Sequence, residues 1–167
     1  MLDNLYQDMA VETEAQVRIG TTQTNWISAG LAGVAAGIVF GVLAAIMMPD
    51  MMGMVGALYG FGGNTVVGWI AHLIHSLVFG LVYAALVTTG QLRPYAGRVL
   101  SGAGIGLVYG VVVWVVAASI VMPLWIGWMT GMAPPVPDFN VMSLVGHAVY
   151  GVLLGAAYPL ILVRMGQ

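Results

Sequence analysis

Apolar residues fall in four long runs almost without charge, separated by stretches rich in Gly, Pro, Asn and Asp. The runs cover 27–48, 65–88, 99–121 and 141–163, each close to the ~20 residues a helix needs to cross a hydrocarbon core. The pattern predicts an all-α, polytopic membrane protein, an antiparallel four-helix bundle. It divides the chain into a cytoplasmic tail (1–26), a first two-span unit (27–88), a loop (89–98), a second two-span unit (99–163) and a short C-terminus (164–167). In the tail, Leu2, Leu5, Tyr6 and Met9 fall on one face at helical spacing. That spacing fits a short interfacial helix, with a loose polar tail as the alternative.

The two units read as copies of one hairpin. Gly33, Gly37, Phe40 and Gly41 are spaced as Gly102, Gly106, Tyr109 and Gly110 are. His72, His75, Gly80 and Tyr83 are spaced as His147, Tyr150, Gly155 and Tyr158 are. Spans 1 and 3 both run into Met-Pro, at Met48-Pro49 and Met122-Pro123, which is expected to end each of them. The fold expected is therefore a bundle built from a duplicated two-helix hairpin, its halves related by an axis along the membrane normal.

Charge orients the bundle. Arg18, Arg93, Arg98 and Arg164 all fall on one side of a four-span topology, and Asp50 and Asp138 fall in the two loops on the other. The positive-inside rule then puts both termini in the cytoplasm of a multi-pass cell-membrane protein. Trp26 suits the inner interface, Trp125 and Trp128 the outer. Composition agrees: 60% of the chain is hydrophobic and 6% charged, with a mean hydropathy of +0.98, where soluble domains carry about 25% charge. The partner implied first is the lipid bilayer. A net charge of −2 gives no basic surface for nucleic acid. The absence of cysteine removes disulfides and thiolate sites.

Small residues at four-residue spacing let membrane helices approach closely. Gly33, Gly37 and Gly41, Gly102, Gly106 and Gly110, Ser76, Gly80 and Ala84, and Gly151 and Gly155 make such rows. Most lie in the cytoplasmic half, so the bundle should be tight there and more open in its outer half.

The chain's three histidines lie in that outer half. An ionisable side chain inside a span is costly and marks a functional site by default. His72 and His147 are repeat equivalents at equal depth, so they can face each other across the bundle. Two neutral imidazoles so placed fit axial ligation of a haem b iron. His75, one turn from His72, fits a propionate partner or a substitute ligand, and Ser76 and Ser143 are candidates to hold the second ring nitrogens. The alternatives are histidines that only hydrogen-bond between helices, a metal site of His72, His75 and His147, and a proton relay. A second candidate is the Met-rich outer loop. Met48, Met51 and Met52 offer soft thioethers that favour copper, or are ordinary apolar filler. No phosphate loop, nucleophile elbow or HExxH is present, and no acid lies within a span to act as a base. Hydrolytic enzyme chemistry is therefore not expected.

IMMPDMMGMVGALYGFGG followed by VVGWIAHLIHSLVFGLVYAAL resembles small four-span membrane proteins of haloarchaeal genomes, some of which carry a histidine-kinase label. The resemblance implies the four-span fold and supplies no residue roles. A kinase has no nucleotide-binding motif here. Two functions remain open. One is a haem b electron-transfer protein or subunit. The other is a non-catalytic accessory subunit of a larger membrane complex, such as a respiratory one, or a homo-oligomer joined through its glycine faces. A small transporter or a copper-binding protein is a lesser alternative.

Overall fold

The computed structural model describes residues 25–165. The proposed interfacial helix with Leu2, Leu5, Tyr6 and Met9, and Arg18 with it, lies outside the described residues. The elements are α1 (Trp26–Met47), α2 (Met51–Ala57), α3 (Thr65–Val87), a 3₁₀ turn (Gly90–Leu92), α4 (Arg93–Ala96), α5 (Val99–Val113), a π-helical stretch (Trp114–Val121), α6 (Met122–Thr130) and α7 (Val141–Arg164). Among the described residues, four helical stretches are long and apolar enough to cross a membrane, the third running from Val99 to Thr130. The chain is an integral membrane four-helix bundle, and no strand occurs among the described residues.

Three spans start on an asparagine. The side chains of Asn25, Asn64 and Asn140 accept from the backbone N–H of Ser28, Val67 and Ser143, at 2.8, 3.1 and 3.0 Å. Each cap satisfies one of the donors that a helix start leaves open.

Span 3 departs from expectation. Met48-Pro49 follows the end of α1, but Met122-Pro123 sits inside a continuous helical run. Pro123 has no N–H, and its ring would press on the carbonyl four residues back, at Ser119. The chain before it is wound as a π-helix, the form such local conflicts take. The Ser119 carbonyl accepts instead from the backbone N–H of Asp138, at 2.8 Å, in the connection that leads to α7. The helix thus passes the proline with the Ser119 carbonyl met, and α6 ends nine residues beyond the predicted boundary at 121.

Glycine rows pack the spans in matched register. A Cβ on Gly33 would meet the Ser76 carbonyl and Gly80 of α3, and one on Gly102 would meet the Gly155 carbonyl of α7. Gly37 lies against Ser76, and Gly106 against Gly151. Gly41 lies against Trp69 and His72, and Gly110 against His147. Equivalent positions of the two hairpins meet equivalent partners. In lipid, dispersion between such close backbones replaces the hydrophobic effect as the source of association. The glycine faces expected to serve an oligomer are therefore spent inside the chain.

The symmetry stops there. α1 packs on α3 and on α7, and α5 packs on α7, but α3 and α5 barely meet. Side-chain size explains it. Ala32, Ala36 and Ala44 of α1 are buried, and their repeat equivalents in α5 are Ser101, Ile105 and Val113. Phe40 inserts its ring at Gly146, where any Cβ would collide with it. On the open side, Tyr109 donates across to the Phe79 carbonyl at 2.7 Å and meets the ring of Tyr83 edge-on at 5.4 Å. These tyrosines hold α3 and α5 apart.

Candidate ligand-binding site

The gap between α3 and the α5–π segment is a cavity of about 170 Å³. All three histidines line it. Its walls are Phe40, Phe79, Val113, Ala117, Val121 and Tyr150, and Met51 and Val55 of α2, Leu58 just after it and Trp125 of α6 roof it. The sequence-predicted residues His72, His75 and His147 are thus brought to one place.

Each imidazole is anchored by one nitrogen. His72 Nε2 donates to the Gly37 carbonyl at 2.9 Å, and His147 Nδ1 donates to the Ser143 carbonyl at 2.8 Å. A carbonyl can only accept, so these nitrogens carry the protons, and His72 Nδ1 and His147 Nε2 carry lone pairs. No hydrogen bond reaches either lone pair among the described residues, and neither is among the sealed polar atoms that lack a partner. Both residues line the cavity. Ser76 does not serve His72 as expected, since its hydroxyl donates to the His72 carbonyl at 2.8 Å. The Ser143 hydroxyl stands 3.5 Å from His147 Nδ1, so the backbone carbonyl does the holding.

Phe40 joins the repeat-related pair. Its ring centroid lies 5.2 Å from that of His72 and 4.7 Å from that of His147, edge-on to both. Sequence reasoning treated Phe40 only as a repeat marker; the signal available was its place one residue before Gly41. Tyr150, the equivalent of His75, donates to the Ser76 carbonyl at 2.7 Å.

His75 belongs to a different cluster. Its Nε2 pairs with the Tyr59 hydroxyl at 2.6 Å. Trp125 lies against both rings, at 5.3 Å from Tyr59 and 6.4 Å from His75. Burial pushes the Tyr59 phenol above its ordinary value, which keeps it a protonated donor over the physiological range.

The methionines are divided. Met48 and Met51 line a second cavity of about 220 Å³ with Met54, Met122, Asp50, Asp138 and Asn140. Met52 is 2% exposed, and its backbone rests on Gly68, where a Cβ would strike the Met52 carbonyl. It lines neither cavity. The two cavities share Met51, Ala118 and Met122. Among the described residues, no three His, Asp or Glu side chains converge closely enough to hold a metal ion.

No protein-family model, curated protein or solved structure matches the chain.

Proposed function

We propose that this integral membrane protein is a binding protein whose site is the three-histidine cavity. Its ligand is a small, mostly apolar molecule carrying hydroxyl or N–H donors. The observation that carries this reading is that His72 Nδ1 and His147 Nε2 have no donor, on two residues that line one apolar cavity. A buried acceptor left unmet costs free energy, and a donor-bearing ligand removes that cost. Titration with phenol, followed by the ¹⁵N resonances of the histidines, tests it. Saturable shifts of both lone-pair nitrogens are expected; unmoved resonances refute the reading.

Haem b, held by His72 and His147, is the second reading. One nitrogen of each imidazole is fixed on a carbonyl, as ligating histidines require. Iron would then be bound through His72 Nδ1 and His147 Nε2, and Phe40 would have to yield room to the macrocycle. Among the described residues, no arginine lines the cavity to meet the propionates. A reduced-minus-oxidised spectrum of protein made with haem supplied decides between the two. A Soret band lost in His147→Ala establishes haem.

An accessory role in a larger complex is compatible with either reading, through the lipid-facing side chains of α5 such as Leu100 and Val108 and not through the glycine faces. Both termini are placed in the cytoplasm by the arginine distribution, which puts the cavity in the outer half of the membrane. Reporter fusions at the C-terminus and after Gly131 test that orientation.

A further inference from the structure

We infer that the ligand of the histidine cavity is a lipid-soluble hydroquinone that enters from the bilayer between α3 and the π-helical stretch. This rests on reading the cavity as a site for a donor-bearing molecule.

The route follows from packing. Three of the four sides of the bundle are closed by helix contact, and the cavity lies on the fourth, between α3 and α5. Val121 lines the cavity and is 46% exposed, so it stands at the mouth. Val116 and Ile120 on the same stretch, and Val112 at the end of α5, are exposed and apolar. In a membrane this mouth meets acyl chains, and a ligand that uses it must be soluble in them.

The head follows from the lining. An apolar cavity of about 150 Å³ takes up benzene, so one of about 170 Å³ holds a substituted six-membered ring but not a long tail. Phe40, Phe79, Tyr150 and Trp125 supply aromatic faces and edges for that ring. His72 Nδ1 and His147 Nε2 are acceptors from two helices, matched to a molecule with two hydroxyl donors. An acyl chain would fill the same space and leave both nitrogens unmet. The tail then runs out over Phe79, Ala117 and Val121 into lipid. Small residues at Ala117 and Ala118 keep the π-helical wall low at this point. The inference concerns binding alone, and no electron acceptor is invoked.

The test uses full-length protein in phospholipid nanodiscs with ¹⁵N-labelled histidine, under ascorbate. The probes are 2-decyl-1,4-hydroquinone, its dimethyl ether, and hydroquinone without a tail. The decyl compound is expected to shift His72 and His147 saturably, and the dimethyl ether, which has no donor, to leave them in place. Val121→Trp should weaken the decyl compound about tenfold and leave tailless hydroquinone unchanged. Val112→Trp, equally exposed and outside the cavity lining, should change neither. Tailless hydroquinone binding while the decyl compound does not would overturn the lipid route and leave the cavity reading intact. Equal effects of diol and dimethyl ether, or a Val121→Trp variant that binds the decyl compound normally, would also overturn it. If neither hydroquinone shifts a histidine, this inference and the reading beneath it both fall.

Discussion

Tyr83 and Tyr158, equivalent positions in the two hairpins, meet edge-on at the centre of the bundle, with ring centroids 6.1 Å apart and planes at 88°. Both are essentially inaccessible. Tyr83 donates to the Gly102 carbonyl at 3.2 Å, tying the first hairpin to the second. Below the cavity these rings and Tyr109 fill the space that helix approach fills elsewhere. Tyr83→Ala should let α3 and α5 close, at a cost of about 3 kcal/mol. Thermal unfolding in detergent gives the loss, and phenol binding gives the collapse of the cavity.

Gly106 and Gly104 make a paired test of the packing. A side chain on Gly106 would enter the Gly151 backbone, whereas a Cβ on Gly104 meets nothing within 4 Å. Gly106→Val should lower stability by about 3 kcal/mol through overpacking. Gly104→Ala should hold or raise it by less than about 1 kcal/mol, the usual helical gain of Ala over Gly. Equal melting curves for the two variants would refute the register.

The notch at Gly146 should couple to Phe40. Gly146→Ala drives a methyl into the Phe40 ring, which lies edge-on to both imidazoles. The single variant should therefore be destabilised and should shift the His72 and His147 resonances. Adding Phe40→Leu should restore about 1 kcal/mol, the scale of coupling between residues in contact. Additive losses in the double variant would show that the ring and the notch are independent.

Side-chain size should decide which helix pair is open. Ile105→Ala gives α5 the small residue that α1 has at Ala36. The expected result is a narrower gap between α3 and α5 and weaker binding of tailless hydroquinone. Ala36→Ile should instead push α1 from α7 and cost about 1–3 kcal/mol. Cysteine pairs placed across each gap would report both changes by crosslinking rate.

Tyr59→Phe removes the hydroxyl from His75 and leaves the ring against Trp125. A net loss of about 1 kcal/mol is expected for one hydrogen bond. The His75 Nε2 resonance should move while those of His72 and His147 stay. The Tyr59 phenol is raised on folding, so its stabilising contribution is complete below the unfolded value of 10.0 and fades as pH rises beyond it. The alkaline limb of the stability profile should therefore be flatter in Tyr59→Phe.

The sequence by itself determined the four spans, the repeat that relates the two hairpins, and the glycine rows along which they pack. Hydrophobic length and glycine spacing are local properties, and lipid leaves a helix as the only way to satisfy an isolated span. It also paired His72 with His147 as repeat equivalents. It missed the passage of span 3 through Pro123, because the remedy is a carbonyl at Ser119 met by Asp138, a contact invisible to local reading. It missed Phe40 beside both imidazoles for the same kind of reason, since Gly146 makes room from another helix. Only the tertiary structure decided which nitrogen of each histidine is held and which is left free. Only there did the two like hairpins become unlike. Alanines let α1 close on α7, while Ile105, Val113 and the tyrosines hold α5 off α3, and that difference in packed volume leaves the cavity.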